Sequence, residues 1–303
     1  MKKALYILVA LIITASGFCQ TAKDYLDSGY TKFELQNYQG AIADYTKAIE
    51  INPKYAKAYY LRGDSKLLLK DYQIAITDFS KAIEIEPEQA ATYFLRGFAK
   101  DELQDYTGAI TDYNKAIELD SNDADAYYYR GMAKGNLKDY IGAIPDFTKA
   151  IELNPNNEVA YYYRGLAKTD IQDYIGAIPD FTKAIEFDPE GENVYFNRGL
   201  AKNKLKDHIG AITDFSKAIE INPEHVNAYF GRGLAKGLIE DNHGAISDFN
   251  KVIEIDPKYS EAYYGRGFAK IYLGQKYSGC MDFSKAGELG YAKAYEMIKQ
   301  YCQ

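Results

Sequence analysis

Charged residues recur through this 303-residue chain at spacings that could do chemistry. Asp78, Lys81 and Glu84 stand three apart, and Asp112, Lys115 and Glu118 repeat them. Two carboxylates on one helix could divide acid and base roles between them. An active site, however, needs one unusual environment, and here eight equal ones recur. Steps of three on a helix set opposite charges side by side on a solvated face, worth about 0.2–0.5 kcal/mol per pair. Arg130 and Lys134 also recur in register, and their stems should cover apolar surface while their charges reach acids on a neighbouring helix. His208, His225 and His243 are the three histidines. His208 and His243 fall near the start of the second helix in adjacent repeats, where they could approach each other. No HExxH, CxxC or acidic calcium loop accompanies them, so no metal site is expected. With no nucleophile elbow and no phosphate-binding loop either, the chain is expected not to be an enzyme and to need no cofactor.

The elements that position these groups are written out in residues 124–157, ADAYYYRGMAKGNLKDYIGAIPDFTKAIELNPNN. Ala126, Tyr127, Arg130, Gly131, Lys134 and Leu137 follow at steps of three and four, one face of a first helix, helix A. Asp139 can cap a second, helix B, whose Ala143, Ile144, Phe147, Ala150 and Ile151 keep that period until Asn154 and Pro155 stop it. Gly131 and Ala143 mark the closest approach of the two, where added bulk should cost about 1–3 kcal/mol. The glycine returns every 34 residues as Gly29, Gly63, Gly97, Gly131, Gly165, Gly199, Gly233 and Gly267. The small residue of helix B returns from Ala41 to Ala245, with Gly279 in the last copy. The aromatic behind it runs Tyr45, Phe79, Tyr113, Phe147, Phe181, Phe215, Phe249, Phe283. Pro145 and Pro179 fall inside helix B, where each removes one helical hydrogen bond, so a slight kink is expected.

This period and pattern resemble the tetratricopeptide repeat family. Tyr25, Tyr59, Tyr93, Tyr127, Tyr161, Tyr195, Tyr229 and Tyr263 stand where that family often carries tryptophan, and Arg62 through Arg266 where it often carries leucine. The resemblance covers about residues 22–293. It implies an all-α fold, a right-handed α-α superhelical solenoid of eight helix-turn-helix repeats plus a C-terminal capping helix. The repeats would span 22–55, 56–89, 90–123, 124–157, 158–191, 192–225, 226–259 and 260–293, with the cap at 294–303. A repeat array is quasi-one-dimensional, so one continuous solenoid is expected. Tyr291, Ala294, Tyr295 and Ile298 form an apolar stripe suited to covering its last face.

In the family that the chain resembles, helix A lines a concave groove, and the residue after the repeated tyrosine points into it. Here that row reads Leu26, Tyr60, Phe94, Tyr128, Tyr162, Phe196, Phe230, Tyr264, and four residues on come Tyr30, Asp64, Phe98, Met132, Leu166, Leu200, Leu234, Phe268. Aromatic stripes at helical spacing are usually core, but the repeated tyrosine and the helix B aromatic already supply one. Tyr60, Phe94, Phe98, Tyr128, Met132, Tyr162, Leu166, Phe196, Phe230 and Tyr264 are therefore expected to line a peptide-binding groove. Glu34, Asp64, Asp101, Glu102, Asp125 and Asp170 outnumber Lys23, Lys57 and Lys204 nearby, which favours an apolar partner segment with some basic residues. Family members that grip a chaperone's terminal carboxylate use lysine, asparagine and arginine in these rows, and that clamp is missing. The expected function is a non-enzymatic scaffold binding a peptide or helix, in assembly or organisation of bacterial envelope proteins. Self-association and glycan binding, to which the 30 tyrosines lend stacking faces, are the alternatives.

The envelope enters through residues 1–19. Lys2 and Lys3 precede the apolar run Ala4 to Ile13, and Ala15, Ser16 and Gly17 follow, the layout of a secretory signal peptide. The run falls short of the roughly 20 residues of a membrane span. Cys19 invites lipidation, although Phe18 occupies a place where the lipobox wants a small residue. Periplasmic or secreted location is expected, lipid anchoring being the alternative, and membrane contact requires a retained leader or a lipidated Cys19. Without the leader, lysine plus arginine falls from 36 to 34 against 43 acids, a charge near −9. An acidic chain of alternating sign lacks the basic stripe that nucleic acid requires. Cys280 takes a slot held by isoleucine in the other repeats, so it is either a buried apolar thiol or the partner of Cys302 in a disulfide.

Overall fold

The computed structural model describes residues 20–302, so the leader and Cys19 lie outside the described residues. Helix pairs follow one another through the described residues, which contain no strand. They are α1 (Ala22–Glu34) and α2 (Tyr38–Ile51), α3 (Ala56–Leu68) and α4 (Tyr72–Ile85), α5 (Ala90–Glu102) and α6 (Tyr106–Leu119), and α7 (Ala124–Asn136) and α8 (Tyr140–Leu153). Then come α9 (Glu158–Asp170) and α10 (Tyr174–Phe187), α11 (Glu192–Lys204) and α12 (His208–Ile221), α13 (Val226–Leu238) and α14 (Asn242–Ile255), α15 (Ser260–Tyr272) and α16 (Lys276–Glu288). A last helix, α17, spans Lys293–Tyr301. None of them is long and apolar enough to cross a membrane.

The chain divides after Asp139 into two compact units, α1 to α7 and α8 to α17, each a run of consecutive helix pairs as expected of a repeat solenoid. Within each unit a helix packs chiefly on its neighbours in sequence.

The turn from helix A to helix B closes one helix and caps the next. Asn37 N–H donates to the Lys32 carbonyl at 2.9 Å and Gln36 N–H to that of Phe33 at 2.8 Å, a Schellman ending. It puts Gln36 at φ 58°, and Lys70, Gln104, Lys138, Gln172, Lys206 and Glu240 likewise adopt left-handed backbone. That conformation costs a residue with a Cβ about 1–2 kcal/mol, and only Gly274 avoids the cost. One residue further on, Asp105, Asp173, Asp207 and Asp241 each accept the N–H of the glycine three positions later. A Cβ on Gly108 would collide with the Asp105 carboxylate. In the second repeat Ile74 holds the equivalent place, and there Asp71 makes no side-chain cap bond.

The helix B aromatics are buried in every repeat. In most repeats the ring tucks against the helix A glycine: a Cβ on Gly63 would lie 2.9 Å from Phe79, and one on Gly165 2.7 Å from Phe181. The glycine thus makes room for an aromatic edge. Pro145 and Pro179 lie within α8 and α10, which keep the 14-residue length of the proline-free α12.

The charged series needs a correction. Lys81 and Glu84 do pair on the solvated face, at 2.8 Å, but Asp78 is only 3% exposed and turns inward. Arg62 Nε and Nη2 donate to its two oxygens at 2.9 and 2.7 Å, and Lys66 Nζ adds a bond of 2.7 Å. Arg62 Nη1 also donates to Thr46 of the preceding repeat at 3.1 Å, and the guanidinium lies over the Tyr59 ring. The helical wheel shows which residues share a face but not which charge is drawn in by a cation on the facing helix. Asp112, Asp180, Asp214, Asp248 and Asp282 repeat the arrangement with their own arginine and lysine. Repeat one has Ser28 in place of the arginine, and its hydroxyl donates to Asp44 at 2.6 Å.

At the C-terminal end α17 lays Ala294, Ile298, Met297 and Tyr301 on Phe283, Ala286 and Phe268. Tyr295, expected in this stripe, instead covers Gly287 with 54% of its surface exposed. Cys280 of α16 and Cys302 are joined by a disulfide with Cα atoms 5.7 Å apart.

Candidate protein-binding surface

Residues at i and i+4 share a helix face, and the ten expected groove residues all lie half-buried on helix A. They are not surplus to the core. In the first unit Tyr60 rests on Phe79, ring centres 6.2 Å apart, and Phe94 on Tyr113 at 5.9 Å. Phe94, Phe98 and Tyr128 gather edge-on around Tyr129 at 5.1–5.6 Å, and Met132 follows on α7. In the second unit Tyr162 meets Phe181, Phe196 meets Phe215, Phe230 meets Phe249 and Tyr264 meets Phe283, at 5.7–6.1 Å. Leu166 joins the Phe181 cluster. These rings therefore belong in part to the core and are only partly open to a guest.

Open space occurs at particular places along this face. In the second unit a cavity of ≈ 790 Å³ is lined by Leu234, Gly237, Leu238, Tyr264, Phe268 and Tyr272, with Asn203, Glu240 and Asn242 supplying polar groups. Leu234, Leu238 and Tyr272 are 40, 61 and 72% exposed. The room lies over Gly237, where nothing stands within 4 Å of an added Cβ, whereas a Cβ on Gly265 would meet the Phe249 ring at 2.7 Å. Such a volume is ordinary for a binding cleft. In the first unit a smaller space of ≈ 370 Å³ is bounded by Lys57, Tyr60 and Glu86 among others. Of the ten expected residues, Tyr264 and Tyr60 line these two spaces. Leu238, Gly237 and Tyr272 were not among them, and the usable signal was glycine in slots that are bulky elsewhere.

Two acids of the first unit, Asp64 and Asp101, sit in partly dry surroundings. Burial pushes the Asp101 carboxyl up to about 6, with the neighbouring Glu102 charge adding to it, and burial also raises Asp64. Tyr113 is buried without a partner for its hydroxyl, and burial, then Asp101, raises its pKa. Glu102 accepts a bond from the Tyr72 hydroxyl at 2.9 Å. His208 Nδ1 lies 2.6 Å from Asn203 Oδ1, while His225 Nδ1 accepts the Ala228 N–H and its ring lies on Phe196. Burial lowers the His225 pKa. Among the described residues no group of three His, Cys, Asp or Glu side chains is placed to hold a metal ion.

Helix pairs of constant length, packed through a glycine and an aromatic and open along one helix, define an α-helical repeat protein. Family models described as TPR repeat match residues 29–70 and 102–138. Models described as tetratricopeptide repeat match 56–89, 124–157, 192–225 and 226–259. Together they cover more than half of the chain, which belongs to the tetratricopeptide repeat family. A comparison with curated proteins finds no match. Among solved structures, YrrB, described as a TPR protein with an unusual peptide-binding site, is 27% identical over 61% of this chain and 95% of its own, with a TM-score of 0.57. MamA from Desulfovibrio magneticus is 25% identical over 56% of this chain and 96% of its own, at 0.54. The C-terminal part of a TPR repeat-containing protein from Cytophaga hutchinsonii, 20% identical over 79% of this chain and 98% of its own, shares the fold at 0.67. Proteins built of such repeats generally serve as interaction scaffolds that bind protein or peptide partners.

Proposed function

We propose that this chain is a non-enzymatic scaffold that holds a peptide or helical segment of a partner protein against its helix A faces. The observation that carries this reading is the cavity of ≈ 790 Å³ in the second unit, with Leu234, Leu238 and Tyr272 exposed around it. Apolar side chains of a guest would fill the space over Gly237, and Tyr272 offers a ring face for stacking. Glu240 at the cavity, and Asp64 and Asp101 in the first unit, favour a guest that also carries lysine or arginine. The peptide-binding description of YrrB supports the same class of partner. The leader-like residues 1–19 favour an exported protein that organises envelope components.

The test is a selection of random peptides against the full chain, followed by titration against a Leu234→Ser/Leu238→Ser variant. Selected peptides should be apolar with basic residues and should bind the variant at least ~10-fold more weakly. Equal binding to a variant that keeps its helical content and melting temperature would place the guest elsewhere.

A further inference from the structure

The second unit carries a second apolar feature, on helix B, in three consecutive repeats. Ile141, Ile175 and Ile209 are each the second residue of their helix, α8, α10 and α12, and are 75, 74 and 72% exposed. The equivalent residues of the first unit are the polar Gln39, Gln73 and Thr107. One turn after the first two isoleucines stand Pro145 and Pro179, also exposed. Proline in a helix interior forfeits a hydrogen bond and is the least favourable residue there. These side chains lie outside the core, so the fold itself gains nothing from them. Further along the same helices the charges are satisfied locally, Lys149 pairing with Glu152 and Lys183 with Glu186.

We propose that Ile141, Ile175 and Ile209, with Pro145 and Pro179, form a two-fold contact through which two copies of this chain associate. Equal repeat spacing makes the row complementary to itself. A two-fold axis through Ile175 sets Ile141 against the partner's Ile209 and Ile175 against the partner's Ile175, the isologous arrangement of a closed dimer. The area is also of the right order. With about three quarters of each isoleucine exposed, the five side chains offer about 450 Å² of apolar surface. Interfaces are about 57% apolar, which makes this the apolar share of about 800 Å² per partner, the size of a stable complex. The contact leaves the helix A faces free, so it goes beyond the proposed segment binding and does not depend on it.

Sedimentation of the full chain from about 1 to about 100 µM, beside an Ile141→Ser/Ile175→Ser/Ile209→Ser variant, tests the contact. A wild-type dimer and a monomeric variant with unchanged circular dichroism and melting are expected. A wild-type monomer throughout the range, or a variant that still dimerises, overturns the proposal. Flotation with phosphatidylcholine vesicles provides another arm: a wild-type monomer that floats where the variant does not would assign the stripe to a lipid surface instead. An Ile175→Cys variant should cross-link to itself under mild oxidation while Ile209→Cys should not, and the reverse pattern overturns the two-fold axis.

Discussion

Replacing Asp248 by alanine removes the acceptor of two buried cations at once. Arg232 Nε and Nη2 donate to Asp248 at 3.0 and 2.7 Å, and Lys236 Nζ lies 2.8 Å away. The arginine and lysine side chains are 18 and 19% exposed and the aspartate 4%. Each charge-assisted bond is worth about 1.5–3 kcal/mol, but both cations keep some access to water, which offsets part of the loss. The expected destabilisation is therefore ~3–5 kcal/mol, the usual cost of stripping one partner from a buried ion pair. Glu254→Gln breaks the Lys251–Glu254 pair of 2.7 Å, whose side chains are 37 and 68% exposed. That change should cost under ~0.5 kcal/mol, because water screens both charges. Urea unfolding of the two variants gives the comparison. Hydrogen exchange across α13 and α14 checks that the loss is local, since repeat arrays open in parts. If Asp248→Ala costs no more than Glu254→Gln, the inward arginine–aspartate pairing is not what joins helix A to helix B.

Other variants probe the same packing. Tyr113→Phe should raise stability by ~1 kcal/mol in urea, because it deletes a buried hydroxyl that has no partner. Gly97→Ala should cost ~1–3 kcal/mol, its Cβ falling 2.9 Å from the Tyr113 ring. By contrast Gly135→Ala, with nothing within 4 Å, should stabilise by ~0.5 kcal/mol in the same assay. Asp101 has a folded value of about 6 against an ordinary 3.8. Its charged form therefore burdens the folded state fully above pH 6 and not at all well below 4. Asp101→Asn should be more stable than wild type at pH 7.5, and melting curves should show that advantage shrinking as the pH falls to 4.

The 34-residue recurrence of glycine and aromatic made the helix pairs legible, because a ring seated on a glycine leaves the same two letters in every copy. The turn was harder to read. Gln36 and Lys70 adopt left-handed backbone without the glycine that usually announces it, since hydrogen bonds on both sides hold them there. Asp78 misled because spacing on its own helix pairs it with Lys81, while the facing helix brings two cations closer to it. The binding surface was half legible. Its helix face followed from the row at Tyr60 to Tyr264, but the depth of each ring depends on the helix B aromatic beneath it. The open space over Gly237 is bounded by α13, α14 and α15 together, which the spacing along one helix does not show.

Segment binding on helix A is tested most directly by filling the cavity while sparing its walls. Gly237→Leu adds bulk where the folded chain has only open space, so the fold should survive, as circular dichroism can check. Fluorescence anisotropy of a selected peptide should then report affinity at least ~10-fold below wild type, a loss of ~1.4 kcal/mol. An unchanged dissociation constant in a folded Gly237→Leu chain would contradict the assignment of this surface.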